Sequence, residues 1–357
     1  MQQENHVKNV CVVSVPYGAN CGSFLQAYAV SEFLKNQGYE AVLYRPVTKK
    51  EFKSKFYDAK FFVKSLLKFP IVGVKRYFLQ RDNYKKFVSA YDSYLTVSDK
   101  SPELYEKVVL GSDEIWNVKN NFLDLKYYGG GIKNAITFSV SAGNSTFEDI
   151  AAYPKIIEAI KNISCITVRD ENTRFIVQKI TGKTPPITLD PTFLIDKKLY
   201  ETELNKKLRN KKYLLVYAYS LTKEEKRFIK RYAKENKLKI VAIGFFWLGV
   251  NYNSAINPME LYTIAKNAEK IYTNTFHGTV FSILAEKTFI SAPEYAKNKI
   301  ISMINNFGLS DRLSTGAITY EKFASLMNTP VNYSLINEKI KKIAEESEMT
   351  MERALND

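Results

Sequence analysis

Short runs of β-branched and aromatic residues alternate with helix-period segments along this chain, and the alternation is run through twice with a polar stretch between. Residues 9–15 read as an apolar strand, 16–23 as a turn-rich loop, 24–36 as a helix ended by Gly38, and 40–44 as a second strand. A strand, a helix and a strand in that order make a βαβ unit, which commits the strands to a parallel sheet with helices on its faces. Further strands at 107–110, 135–140 and 165–168, with helices at 153–161 and 172–180, complete a first domain over residues 1–195. Residues at about 46–106 interrupt it as a basic helical insertion. The lysine-rich stretch 196–212 reads as a linker. A second alternation follows over 213–330: strands at 213–220, 239–245, 270–274 and 289–292, and helices at 223–236 and near 259–268. The remainder, 331–357, reads as a helical segment. The expected fold is therefore α/β, with two Rossmann-like doubly wound domains facing a cleft where strand ends and helix N-termini converge.

Charge narrows the partners without choosing one. Lys and Arg number 52 against 37 Asp and Glu, a net charge of +15 in 357 residues, which favours anionic ligands or surfaces. The stretch 49–86 is conspicuously basic and interleaved with aromatics, and 60–69 reads as a basic amphipathic helix. Such a helix suits an anionic membrane surface or a lipid-carried acceptor. It equally suits an insertion whose aromatics pack inward while its lysines stay solvated. No zinc-finger spacing or RNA-binding aromatic motif accompanies the charge, so nucleic acid is not expected. No run approaches the ~20 apolar residues of a membrane span, and the first residues lack the basic and apolar regions of a signal peptide. The chain is expected to be cytoplasmic, with peripheral contact at the inner face of the membrane. Three scattered cysteines point to free thiols rather than a disulfide framework.

Four segments can carry chemistry. In Lys270-Ile-Tyr-Thr-Asn-Thr-Phe-His-Gly-Thr-Val-Phe-Ser-Ile-Leu284 a strand becomes a helix, and His277 lies at the turn. Asn274, Thr275 and Thr279 offer polar contacts or caps, and Gly278 admits a close neighbour. A helix N-terminus attracts anions and a histidine exchanges protons near neutral pH, so this segment can bind an anionic substrate and act on it. The same pattern fits a histidine that only caps a helix or fills a packing gap.

Asn20-Cys-Gly-Ser-Phe-Leu-Gln-Ala-Tyr-Ala29 opens a helix directly after the first strand, with Asn20, Gly22 and Ser23 placed to meet an anion. It lacks the third glycine of a dinucleotide fingerprint and the Gly-Lys-Ser/Thr of a P-loop, and also reads as a tight turn. Gly111-Ser-Asp-Glu-Ile-Trp-Asn117 delivers Ser112, Asp113, Trp116 and Asn117 at the carboxyl end of a strand. There they can contact sugar hydroxyls, the tryptophan by stacking; equally, Asp113 can cap a turn and Trp116 can be core. Arg169, in Val168-Arg-Asp170, suits a two-pronged clamp on phosphate or carboxylate, or an ion pair with its acidic neighbours. Asp190-Pro-Thr192, near the junction, reads as a turn.

In this order these segments resemble the polysaccharide pyruvyl transferase family, through Asn20 to Ala29, Gly111 to Asn117, Val168 to Asp170, Asp190-Pro-Thr-Phe-Leu194 and above all Thr275-Phe-His-Gly-Thr-Val-Phe-Ser-Ile-Leu284. The resemblance implies a glycosyltransferase-B-like enzyme that moves pyruvate from phosphoenolpyruvate to a saccharide or lipid-linked oligosaccharide as a cyclic ketal. Phosphoenolpyruvate is the donor substrate and no cofactor is implied. By the same resemblance His277 is the catalytic acid and Arg169 holds the donor; position suggests Asp113 as a base toward an acceptor hydroxyl. The chain departs from the family pattern at Thr275 and at Lys299, where many relatives carry arginine. Two other functions are compatible with the sequence: a nucleotide-sugar glycosyltransferase, and a non-catalytic binder of anionic glycans or membranes. With two histidines far apart in sequence and no compact ligand cluster around His277, no metal is expected.

Overall fold

The apolar run expected as the first strand forms the centre of a sheet: in β1 (Lys8–Val13), Val10, Val12 and Val13 have no exposed surface. The computed structural model describes residues 8–15, 20–45, 70–120, 123–294 and 297–356. β1 lies between β2 (Tyr39–Tyr44) and β4 (Lys107–Asp113), and β3 (Val97–Ser98) and β5 (Ala135–Val140) extend the sheet to the order β3-β2-β1-β4-β5, parallel throughout. Helix α1 (Cys21–Asn36) makes the first crossover, and twelve of its sixteen residues are buried. It is not amphipathic because it is covered twice: by its own sheet and, on the other side, by the linker and second domain, with Tyr28 meeting Tyr200 of the linker.

Helix α2 (Pro70–Tyr94) packs Phe87, Ala90 and Tyr91 on the first domain, with Tyr91 edge-on to Phe24 at 5.1 Å. On its other flank, Lys86 donates to the Ala255 carbonyl and pairs with Glu260, tying the helix to the second domain. The amphipathic helix expected at 60–69 lies outside the described residues. Helices α3 (Phe147–Ala151), α4 (Pro154–Lys161) and α5 (Glu171–Thr181) follow β5. Between α4 and α5, the strand expected at 165–168 survives as single bridges, Ile136 to Cys165, Val140 to Val168 and Val168 to Ile187. The Thr137 and Thr167 side chains take over ladder bonds there: the Thr137 hydroxyl donates to Thr167 O and accepts from Thr167 N, both at 2.7 Å.

The second sheet is also parallel: β6 (Tyr213–Tyr217), β7 (Lys239–Ile243), β8 (Tyr252–Asn253), β9 (Lys270–Thr273) and β10 (Phe289–Ser291) lie in the order β10-β9-β6-β7-β8. Its helices are α6 (Lys223–Glu235), α7 (Glu260–Lys266), α8 (Phe276–Leu284), α9 (Lys297–Phe307) and α10 (Tyr320–Asn328). The expected linker is pinned rather than loose, since Tyr200 is wholly buried against Tyr28, Tyr262 and Phe281.

The C-terminal helix α11 (Tyr333–Asn356) crosses back over the junction. The Tyr333 hydroxyl donates to Lys287 O in the second domain; at the far end Tyr39 donates to Leu355 O and Leu189 N–H to Ser347 in the first. One apolar cluster joins residues of both sheets, including Val10, Phe24, Tyr200, Phe281 and Met351. The two α/β domains thus face each other across a cleft, bridged by α2, the linker and α11. Among the described residues no helix is long and apolar enough to cross a membrane.

Candidate active site

β9 stops at Thr273 and the chain turns at once into α8, which puts His277 in the first helical turn. Three side chains build this turn. The Asn274 amide accepts from Tyr219 N–H at 3.1 Å and donates to Ser220 O at 2.8 Å, fixing the loop after β6. Thr275 is the N-cap, accepting from Gly278 N–H at 2.9 Å. Gly278 answers to packing, because a Cβ there would lie 2.0 Å from Thr273 Oγ1. Thr279, expected at the ligand, is wholly buried and bonds the Thr275 carbonyl and the Ser291 hydroxyl. Gly278 and Thr279 therefore anchor α8 on its strands rather than line the cleft.

The His277 ring is 5% exposed and wedged between the two domains. Its Nε2 lies 3.6 Å from Asp190 Oδ2, and its Nδ1 edge faces the first turn of α1. Gly22 makes room for it: a Cβ at that position would stand 2.0 Å from Nδ1. From the sequence this glycine is expected to meet an anion. Its tertiary reason is the imidazole from the other domain.

Beneath the cleft, charges alternate in an unbroken chain. Asp190 Oδ2 lies 3.0 Å from Arg169 Nη2, Arg169 Nη1 lies 3.8 Å from Asp113 Oδ1, and Asp113 Oδ1 lies 3.2 Å from Lys299 Nζ. Lys299 reaches Glu114 at 3.0 Å. Asp113 sits at φ +83°, a left-handed conformation costly to a residue with a side chain, at the end of β4. Ser23 donates to its Oδ2 at 3.0 Å, so α1, β4 and α9 meet on one carboxylate.

Burial by itself would raise the Asp113 carboxyl, but Lys299, Arg169 and His277 hold it well below the usual carboxylate range. A carboxylate with so little proton affinity is a poor base near neutral pH. Its geometry makes Asp113 the hub that places Lys299, Arg169 and Ser23, which corrects the role its position suggested. Burial likewise lowers the Lys299 ammonium's affinity, and Glu114 and Asp113 more than compensate, keeping it charged. The ammonium also stands 4.7 Å over the Phe276 ring, and the Arg169 guanidinium 5.1 Å from it.

A cleft of about 320 Å³ opens above this chain, lined by Val15, Asn20, Ser23, Asp113, Glu114, Asn117, Asn120 and Asn144 from the first domain, with Tyr219, Asn274, Thr275, Phe276, His277 and Lys299 from the second. Asn20 caps α1 through Gly22 N–H at 2.9 Å. Asn117 bonds Glu114 and Ser145 and so stiffens the rim. The expected residues Asn20, Ser23, Asn117, Asn274, Thr275, His277 and Lys299 thus converge.

Trp116 does not join them: it is wholly buried, its indole N–H donates to Tyr127 O at 2.8 Å and its ring stacks on Tyr128. The stacking role is corrected to core. Ser112 is also fully buried, donating to Ser139 O and accepting from Arg169. Arg169, 6% exposed, lies under the floor, braced by Ser112, Asp190 and Asp113. Asp190, Glu114 and Tyr219 are site residues not expected from the sequence. Asp190 carries a signal, a carboxylate near the domain junction; among the described residues the exposed aromatic lining the cleft is Tyr219, not a tryptophan. A larger groove, about 570 Å³, runs between α2 and β8, but its amides are already engaged, Asn251 with Ile240 N–H and Asn253 with Trp247.

A family model described as polysaccharide pyruvyl transferase matches residues 20–292. The chain belongs to that family. The match begins at the Asn20 cap and ends just past β10, so every cleft-lining residue except Val15 and Lys299 falls inside it. The family is one of transferases. No curated protein matches the chain. Solved structures similar to it include a UDP-N-acetylglucosamine 2-epimerase from Rickettsia bellii, at 13% identity over 98% of this chain and 99% of that one with TM-score 0.49. Arabidopsis thaliana UGT89C1 complexed with UDP-L-rhamnose is similar at 12% identity over 96% and 94%, TM-score 0.49. S. aureus MnaA with UDP is similar at 10% identity over 95% and 91%, TM-score 0.47.

Proposed function

We propose that this transferase moves the pyruvyl group of phosphoenolpyruvate to two hydroxyls of a sugar in a surface or exported polysaccharide precursor, forming a cyclic ketal and releasing phosphate. The observation that carries the reading is a buried histidine, backed by Asp190, in the first turn of α8 within an inter-domain cleft. The donor is small and multiply anionic. It suits a cleft onto which the N-terminal turns of α1 and α8 open and where Lys299 remains charged.

In this reading His277 delivers a proton to the methylene carbon of the donor, which becomes a methyl group, and the carbon beside it takes the first sugar hydroxyl. Phosphate then departs and the second hydroxyl closes the ring. Two hydroxyl protons are released: one restores His277, the other leaves with phosphate. Holding donor and diol together in one cleft supplies much of the acceleration. Arg169 serves the donor indirectly, by fixing Asp190 and Asp113. Tyr219, 44% exposed, offers its ring to the acceptor, and the Asn20, Asn120 and Asn144 amides offer hydrogen bonds to its hydroxyls. No cofactor enters the reaction. A lipid-linked oligosaccharide as acceptor would draw a chain of +15 charge to an anionic cytoplasmic membrane face.

Incubation with phosphoenolpyruvate and candidate saccharides should release phosphate, and His277→Ala should reduce that release by about 10²-fold or more while thermal unfolding stays cooperative. Release at the wild-type rate from that variant would remove His277 from the chemistry. Thermal stabilisation by a nucleoside diphosphate but not by phosphoenolpyruvate would favour a nucleotide-sugar glycosyltransferase instead.

A further inference from the structure

Four buried polar atoms without a hydrogen-bond partner lie in one network below the cleft: Nε and Nη1 of Arg169, Oδ2 of Asp190 and Nε2 of His277. Buried polar atoms are ordinarily satisfied, so such a concentration asks for an explanation. The local geometry supplies one. Asp190 caps the short 3-10 turn Pro191–Phe193, where its Oδ1 accepts from Thr192 N–H at 3.0 Å and from the Thr192 hydroxyl at 2.6 Å. That commits Oδ1 and leaves Oδ2 for Arg169 at 3.0 Å and His277 Nε2 at 3.6 Å. Burial by itself would raise this carboxyl, but Arg169 and His277 hold it well below the usual range, so Asp190 stays an acceptor and does not take the proton.

We infer that Asp190 is the positioning residue of His277: it keeps a proton on Nε2 and thereby leaves Nδ1, on the ring edge toward the first turn of α1, as the nitrogen that exchanges a proton with substrate. The imidazolium gives up its Nδ1 proton, the Nε2 proton stays, and the resulting neutral ring is the tautomer that Asp190 favours. Closing the 3.6 Å gap as the ring charges satisfies two of the four atoms at once. Arg169 is the brace of this arrangement from the far side of Asp190.

The kinetic part of this inference rests on the pyruvyl-transfer reading; its structural part does not. The sequence contains two histidines, His6 and His277, so imidazole nitrogen NMR of the intact chain, assigned with His6→Gln, reads the tautomer of His277 directly. The neutral ring should carry its proton on Nε2. In Asp190→Asn both tautomers should appear, kcat for phosphate release should fall by about 10²-fold or more with KM for phosphoenolpyruvate little changed, and Asp190→Glu should recover part of the loss. A wild-type His277 protonated on Nδ1 overturns the inference whether or not any acceptor supports turnover, and needs no variant to fold. An Asp190→Asn protein with an unchanged tautomer overturns it as well. Correct tautomers in a chain that never consumes phosphoenolpyruvate would sink the proposed reaction and leave the Asp190 assignment standing.

Discussion

Gly22 carries the sharpest test at the scale of one residue. A methyl group added there would stand 2.0 Å from His277 Nδ1, against the far ring of another domain rather than a flexible side-chain end. Gly22→Ala should therefore displace the imidazole and lower kcat by about 10²-fold, since small misplacements of reacting groups have effects of that size. Phosphate-release kinetics beside a thermal melt would check it; full activity with an unchanged melt would show that the ring has other room. His277 itself was legible in the sequence, because a histidine between a strand and a helix has few neighbours to choose from. Trp116 was not. The same strand-end position suits a stacked sugar or a core packing group, and only the Tyr127 carbonyl that meets its indole N–H decides between them. Asp113 was legible as a site residue, but whether a carboxylate acts as base or as hub depends on the charges within a few ångströms, here Lys299 and Arg169 from distant parts of the chain.

At the scale of elements, the β9 to α8 turn is where local rules and function coincide. Thr275 satisfies one of the otherwise unmet N–H groups of α8 through Gly278, so Thr275→Ala should cost about 1–2 kcal/mol, read as a lower urea midpoint, while Thr275→Ser should restore most of it. Equal stability of all three proteins would deny the cap any weight. An arginine at this position, as the resemblance leads one to expect, would have brought a charge to the cleft; among the described residues that line it the cation is Lys299, delivered from α9. Most elements were readable from periodicity. Ala135–Val140 stands as expected, and α1 begins three residues earlier than its apolar pattern, because the Asn20 cap rather than hydrophobicity starts it. The expected strand at 165–168 failed for a reason periodicity does not carry: threonine hydroxyls replaced ladder bonds that an aliphatic residue would have left to the backbone.

Across the whole molecule, the buried charge chain couples the fold to acid. Asp113 and Asp190 titrate lower in the folded chain than the ~3.9 of an unfolded aspartate, so the folded state binds fewer protons. Their stabilisation is fully present above that value and is lost as pH falls below it toward the folded pKa of each. Urea midpoints should be nearly flat from about pH 7 to 5 on account of these two groups and should drop below about pH 4. Asp113→Asn should flatten the acid limb while lowering stability at neutral pH, because it leaves Lys299 and Arg169 short of a buried partner. An acid limb unchanged in that variant would mean the carboxylate is not the linked group.

The sequence by itself determined two parallel α/β halves, the order of their motifs and the histidine at a helix start, because apolar periodicity and caps act over a few residues. Only tertiary structure decided that Asp190 backs His277, that Gly22 yields space to it, that Arg169 lies under the floor, and that α11 returns to bind the first domain. Those relations span tens to hundreds of residues, and electrostatics and packing act through distance in space, which separation along a chain does not reveal.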